Sequence, residues 1–504
     1  MTNQSARCVS ILGTGSDVGK SIVAAALCRI FRDEGFEIAP FKAQNMSNNS
    51  SVTDEGGEMG RAQVVQAQAA GITPHVDMNP VLLKPSSNVG SQVILQGKPL
   101  YNIEARDYFR NTDELFQKSL ESLERLRSQY ELIIIEGAGS CGEVNLRQRD
   151  FVNFKTAHAA DAPVILVADI DRGGVFAQLI GTLAVIPEKD KKRVKGFIIN
   201  RFRGDPTLFD EGITYLEENT GLPVLGLVPY FDHIKIDSED SVLLECLVDP
   251  KEGPAPGKAN IAVLRFPHIS NFTDFLPLEN DSQVNLHYLQ QPRSLVDYDI
   301  VLLPGSKNVR ADLRWIKSGG WDRSLREFAE RGGEIGGICG GYQILGISIS
   351  DPQGVEDLKG EDEGLGMLPL KTIMNPQKTL SRSVGTWITS GDPIEGYEIH
   401  VGKTELTGKI DSLIQLQSRN DNPTADCDGA ISTNGKIWGT YFHGLFNNKT
   451  FRQRFLKRLC SNYQPDLGQP DLSISEFRNR QYNLLAAHFR KHLNLEKLKS
   501  VIGI

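Results

Sequence analysis

The chain has 504 residues, 40% of them hydrophobic and 23% charged, with 48 glycines, 24 prolines and a formal net charge of −8. This length suits two or three domains with sizeable cores; the acidic balance excludes a general nucleic-acid binder, and the lack of a long apolar run excludes a membrane-spanning helix. Seven scattered cysteines without a C-x-x-C pair argue against a disulfide framework or a zinc site, and no secretory signal precedes the first strand, so a reducing cytoplasm is the expected compartment.

Short apolar runs predict strands at 8–12, 38–41, 132–136, 163–168, 196–200 and 224–228. They are nearly continuous in Val, Ile and Leu and alternate with helix-like stretches, as in a parallel sheet covered on both faces. Residues 249–259 (DPKEGPAPGKA) have no periodicity and read as a linker. A second alternating unit follows, with strands at 260–266, 300–303, 334–339 and 436–441. Residues 451–459 and 473–495 read as helices, with Leu484, Leu485, Phe489 and Leu493 at helical spacing. The expected organisation is α/β: two doubly wound domains, 1–248 and 260–450, with a helical tail, 451–504, docked on the second. No repeat of 20–50 residues is visible.

Residues 13–21 (GTGSDVGKS) lie between a predicted strand and a predicted helix. Gly13, Thr14, Gly15, Val18 and Gly19 can turn backbone N–H groups toward a phosphate at a helix N-terminus. Lys20 would reach the β- and γ-phosphates and the Ser21 hydroxyl would meet Mg²⁺. Glu136 ends a strand and opens EGAG (136–139), a position suited to holding a metal or a water. Asp169, Asp171 and Arg172 follow another strand tip, and NRFRGD (200–205) supplies Asn200 and Arg203 after a third.

In the second unit, GICGG (337–341) has the G-x-C-x-G form of a strained strand-to-helix turn that exposes a nucleophile. Cys339 would be the nucleophile, activated by the following helix N-terminus, with Gly340 among the oxyanion donors. His443 in TYFHGLF (440–446) is the candidate base.

The loop at 13–21, Lys42 in FKAQN and EGAG resemble the dethiobiotin synthetase family of ATP-dependent enzymes. FKAQNMSNNS (41–50), GGEMGRAQ (56–63), VADIDRGGVFA (167–177), NRFRGD and LPGSKNVRADLRW (303–315) resemble the cobyric acid synthase family, and GICGG with His443 is similar to class I, or triad, glutamine amidotransferases. The resemblance implies a P-loop synthetase domain and a flavodoxin-like amidotransferase domain. ATP and Mg²⁺ would activate a carboxylate of a corrinoid as an acyl phosphate, and glutamine would supply ammonia. It implies Lys20 and Ser21 at the phosphates, Ser21 and Glu136 at the metal with Asp54 or Glu58, and Lys42 at the phosphoryl charge. Asp169, with Asp171 or Arg172, would orient the substrate, Asn200 and Arg203 would meet the nucleotide, and Gly305 and Ser306 would join Gly340 at the oxyanion. Class I members carry an acid two residues after the histidine, where this chain has Leu445; the backbone, or Glu398 to His400, is then expected to orient His443. The substrate would be adenosyl-cobyrinic acid a,c-diamide, amidated at b, d, e and g. Other readings are a cobyrinic acid a,c-diamide synthase, an amide ligase on another polyacid, or a nucleotide-dependent switch with an inert Cys339.

Overall fold

The computed structural model describes residues 5–85, 90–104, 112–237, 253–356, 358–464 and 473–504. Six parallel strands form the first sheet, in the order Val224–Pro229, Val194–Phe202, Val164–Asp169, Arg7–Gly13, Leu132–Glu136 and Ile38–Phe41. These are the predicted strands, some a residue or two longer. Alternate side chains feed separate cores: Ile11 and Ile134 face one, Leu12 and Ile133 the others. Burial on both faces is why the runs are continuously apolar. Arg7–Gly13 lies between strands that come later in the chain, so a crevice opens at its carboxyl end, where ligands bind in such sheets.

Between the second and third predicted strands the chain builds structure that its hydrophobic pattern did not announce. A small sheet pairs Gln44–Met46, Val81–Pro85, Gly90–Leu95 and Lys98–Glu104. A hairpin pairs Ser50–Val52 with Glu58–Gly60 and leads into helix Arg61–Ala70. This excursion reaches the second half of the chain: the Asn271 amide donates to the Ser50 carbonyl at 3.1 Å, and the Thr273 hydroxyl to Asn49 Oδ1 at 3.1 Å.

The second half holds its own sheet, ordered Val284–Leu289, Ala259–Leu264, Ile300–Leu303, Glu334–Ile338, Ile437–Thr440 and Ala430–Ile431. The first five are parallel and the last is antiparallel. The two edge strands were not predicted. Neither was the long hairpin Leu370–Trp387 with Asp392–Leu406. Residues 249–252 of the predicted linker lie outside the described residues.

The tail divides. Helix Lys449–Leu459 buries Phe451, Phe455 and Leu456 in the core of the second half. Ser473 then caps helix Ile474–His492 with a capping box, and Leu495–Ile502 follows. Both of these pack on the first sheet, which corrects the expectation that the whole tail docks on the second unit. Tyr482, Leu485, Phe489, Leu498 and Ile502 share a core with Val23, Leu27, Leu225 and Val228, and Arg29 donates to Asn479 and Asn483. Each aromatic or aliphatic side chain so buried contributes about 1.5–3 kcal/mol.

Candidate active site

The phosphate loop follows strand Arg7–Gly13 and feeds helix Lys20–Asp33. Gly19 has φ 96°, and a Cβ there would lie 2.1 Å from the Asn200 amide nitrogen, so only glycine fits. That amide donates to the Val18 carbonyl at 3.0 Å and pins the loop. Lys20 Nζ curls over the loop onto the carbonyls of Gly15 (2.9 Å) and Gly139 (2.8 Å). Thr14 is tied to Gln178 by its hydroxyl at 3.1 Å.

Glu136 is fully buried and is the hub of this site. Oε1 accepts from the Ser21 hydroxyl at 2.7 Å and from Lys42 Nζ at 2.9 Å. Oε2 accepts from Gln66 at 2.5 Å and Gln63 at 3.3 Å. The two glutamines sit on helix Arg61–Ala70, inside and just beyond the GGEMGRAQ string, and the sequence reading gave neither a role. A carboxylate beside a hydroxyl at a phosphate loop fits Mg²⁺, which keeps most of its water and takes one or two protein oxygens together with phosphate.

The other predicted acids lie elsewhere or are already engaged. Asp54 pairs with Arg382 of the second half at 2.7 Å and is removed from Glu136's group. Glu58 is buried between Lys84 and Lys378. Asp169 accepts from Arg201 at 2.8 Å and from the Asp171 amide at 2.8 Å. Asp171 pairs with Arg203 at 2.6 Å, which holds its carboxyl below the usual range. Arg203 also lies over the Tyr230 ring, 3.5 Å from its centre, and Arg172 pairs with Asp17 at 3.1 Å. A cavity of about 1060 Å³ opens over the loop, bounded by Lys20, Ser21, Lys42, Glu136, Arg172 and Asn200 among others. That is room for a nucleotide and a large second substrate.

In the second half, Cys339 stands between strand Glu334–Ile338 and helix Gly340–Ile344 with φ 52° and ψ −108°. A non-glycine residue in that region is strained, a condition concentrated at functional sites. The flanking glycines are required sterically: a Cβ on Gly341 would lie 2.1 Å from the Leu303 carbonyl oxygen, and one on Gly340 would lie 2.8 Å from the Ser306 amide nitrogen. The latter contact packs Gly340 against the Ser306 amide, and Ser306 lines one pocket with Cys339 and His443. The helix is only five residues long, so its dipole is a smaller influence on the thiol than expected.

His443 lines the same pocket as Cys339. Its Nδ1 lies 2.7 Å from Asp274 Oδ2, while Asp274 Oδ1 accepts from the Gly444 amide at 2.8 Å. The Tyr397 ring stacks on the imidazole at 5.2 Å, tilted by 14°. Burial alone would lower the imidazole pKa, but the Asp274 carboxylate and the Cys339 sulfur outweigh it and push it up to about 10. The expected role of Glu398 to His400 is corrected. Glu398 is taken up by Ser383 at 2.6 Å and Arg419 at 2.9 Å, and His400 Nδ1 lies 2.8 Å from the Gly402 carbonyl.

Asp274 was not anticipated: it lies 169 positions from His443, far from both the place two residues after the histidine and Glu398. It sits on the 3-10 turn Phe272–Phe275, which begins at Asn271 in the left-handed region with φ 50°. A carboxylate in an aromatic, turn-forming string (SNFTDF) just past a strand was the available signal.

Two parts of the chain match known protein families. Residues 9–243 match the CobQ/CobB/MinD/ParA nucleotide binding domain, and residues 260–451 match the CobB/CobQ-like glutamine amidotransferase domain. The cobyric acid synthase of Chlorobium phaeobacteroides (strain BS1) is 56% identical over 99% of both chains. That of Chlorobium chlorochromatii is 54% identical over 98% of this chain and 97% of its own. That of Chlorobaculum tepidum is 54% identical over 98% of each. The chain belongs to the cobyric acid synthase family. As a member it is an amide ligase that takes nitrogen from glutamine. The strings that carried the resemblance also have a spatial logic in the family fold: FKAQNMSNNS starts at Lys42 beside Glu136 and ends at Ser50 beside Asn271, so one short segment touches both sites.

Proposed function

We propose that the chain amidates the b, d, e and g carboxylates of adenosyl-cobyrinic acid a,c-diamide, in the cytoplasm, using ATP, Mg²⁺ and glutamine. The observation that carries this reading is the pairing of two complete half-sites in a member of this family: Cys339, His443 and Asp274 in one half, and the phosphate loop with Glu136 and Lys42 in the other.

The cysteine site begins with an imidazolium held between Asp274 and the Cys339 sulfur. Cys339 attacks the glutamine carboxamide carbon, and the oxyanion forms against the amides of Ser306 and Gly340. His443 gives its proton to the departing nitrogen, ammonia leaves and a thioester remains. His443 then takes a proton from water as it attacks, and glutamate is released. Asp274 keeps Nδ1 protonated, so that Nε2 faces the sulfur throughout.

At the other site a substrate carboxylate oxygen takes the γ-phosphoryl group of ATP and ADP departs. Lys20 and Lys42 offset the charge on the transferring group, and Asn200 and Arg203 meet the nucleotide. Mg²⁺, held by Ser21 and Glu136, would neutralise phosphate charge. Arg172 lines the cavity in which the corrinoid carboxylate is oriented, and Asp169 and Asp171 hold the neighbouring arginines Arg201 and Arg203; Asp54 has no part. Ammonia adds to the acyl carbon, phosphate leaves with the bonding pair, and a proton is released with the amide.

Mass spectrometry of adenosyl-cobyrinic acid a,c-diamide incubated with the protein, glutamine and Mg-ATP tests this. Stepwise conversion to the hexa-amide is the expected result. No change in this substrate, with two amidations of cobyrinic acid itself, would move the chain to the diamide synthase chemistry; no change in either would remove the corrinoid.

A further inference from the structure

The two sites share a wall one strand thick. Leu83 and Ser91 line the large cavity, while Lys84, the next residue after Leu83, lines the pocket around Cys339 and His443. In the antiparallel pair Val81–Pro85 with Gly90–Leu95, Lys84 stands opposite Gln92 and Pro85 opposite Ser91. Successive side chains of a strand point to opposite faces. One face of the pair therefore meets the synthetase cavity and the other meets the cysteine pocket.

The cysteine-side face carries a buried charge cluster drawn from both halves of the chain. Lys84 Nζ donates to Glu58 Oε1 at 2.6 Å and to the Ser50 hydroxyl at 2.7 Å. Lys378 Nζ, from the long hairpin of the second half, donates to Glu58 Oε2. Lys307 Nζ donates to Gln92 at 3.0 Å. Glu58 is fully buried, and the side chains of Lys84 and Lys378 are 3% and 2% exposed. Two ammonium groups thus share one carboxylate, a third lysine stands beside them, and the pocket they line carries the acid Glu356. Burial, and after it the neighbouring lysines, push the Lys307 and Lys378 ammonium groups down, as expected where cations are buried side by side.

We propose that the Lys84–Glu58–Lys378 cluster is a cation barrier in the shared wall, across which nitrogen passes from Cys339 to the synthetase cavity as neutral ammonia and not as ammonium. This rests on the two-site reading above. An ammonium ion entering the pocket meets like charges with too few counter-ions, whereas ammonia meets only hydrogen-bonding groups. Keeping the nitrogen unprotonated also keeps its lone pair free for attack on the acyl carbon.

The design of the cluster permits a clean test. Lys84→Met and Lys378→Met each remove one positive charge and leave Glu58 with a lysine partner, so neither strands a buried charge. Glutamate and amide are measured together on the corrinoid substrate, with glutamine and separately with ammonium chloride as nitrogen source. The wild-type protein is expected to form them in equal amounts from glutamine. Each variant is expected to release several-fold more glutamate per amide, while amidation from ammonium chloride persists. A glutamate-to-amide ratio that stays at the wild-type value in both variants overturns the barrier, whether or not glutamine hydrolysis slows. Loss of amidation from ammonium chloride as well would make the cluster a structural support and also overturn it. Failure of the wild-type protein to amidate from either source would instead count against the corrinoid reading.

Discussion

His443 Nδ1 and Asp274 Oδ2 lie 2.7 Å apart, both buried, although 169 positions separate the residues in the chain. Asp274 also holds the amide of Gly444, so the carboxylate fixes the backbone that carries the histidine as well as its ring. Asp274→Asn is expected to keep the shape and lose the tautomer, lowering glutamine-dependent turnover by roughly 10²–10⁴-fold. Amidation from ammonium chloride should persist. Parallel assays with the two nitrogen sources check this, and equal loss in both would place Asp274 outside the glutaminase chemistry.

Cys339→Ser separates an enzyme from a nucleotide-dependent switch. The variant is expected to lose glutamine-dependent amidation to background and to retain amidation from ammonium chloride. Labelling with a glutamine-like electrophile, followed by peptide mapping, should mark Cys339 in the wild-type protein and no residue in the variant.

The complementary loss is expected at Glu136. Glu136→Gln keeps one acceptor oxygen, which Ser21 can still reach, turns an amide NH2 toward the donors on Gln63 and Gln66, and removes the charge that Lys42 pairs with. Amidation from both nitrogen sources should fall by about 10²-fold or more. Removing one member of a buried pair also costs about 3–5 kcal/mol of stability, so a denaturation midpoint must accompany the assay. A variant that amidates normally would sink the assignment of Glu136 to the phosphoryl site.

The His443 imidazole has a folded-state value of about 10 against about 6.5 in the unfolded chain. The folded protein therefore binds this proton more tightly. The stabilisation it provides is fully present below about pH 6.5 and is lost as pH rises through about 10. Urea unfolding of the wild-type protein and of His443→Gln across that range checks it. The stability advantage of the wild type over the variant should shrink with rising pH; a constant difference would contradict a charged His443.

Much of this architecture was legible because its signals are local. Buried parallel strands such as Leu132–Glu136 are unbroken apolar runs. Gly19 and Gly341 announce themselves because the backbone at each leaves no room for a side chain. What the sequence left dark depends on distance. Asp274 reaches His443, and Gln66 reaches Glu136, through pairings between separate elements. Asp54 shows the converse: an acid in a family-like string, drawn by Arg382 to the boundary between the halves and away from the metal site. The tail misled because helical periodicity shows which face is apolar and not which core receives it.

The return of helices Ile474–His492 and Leu495–Ile502 to the first sheet has a consequence for biosynthesis of the polypeptide. The glutamine-hydrolysing half is an insertion within the ATP-using half, and the core around Val23 and Leu225 is completed by helices that follow the whole of that insertion. On the ribosome the ammonia source is finished before the phosphorylating machine can close. A chain that stops before Ile474 lacks the side chains that complete the core around Val23 and Leu225.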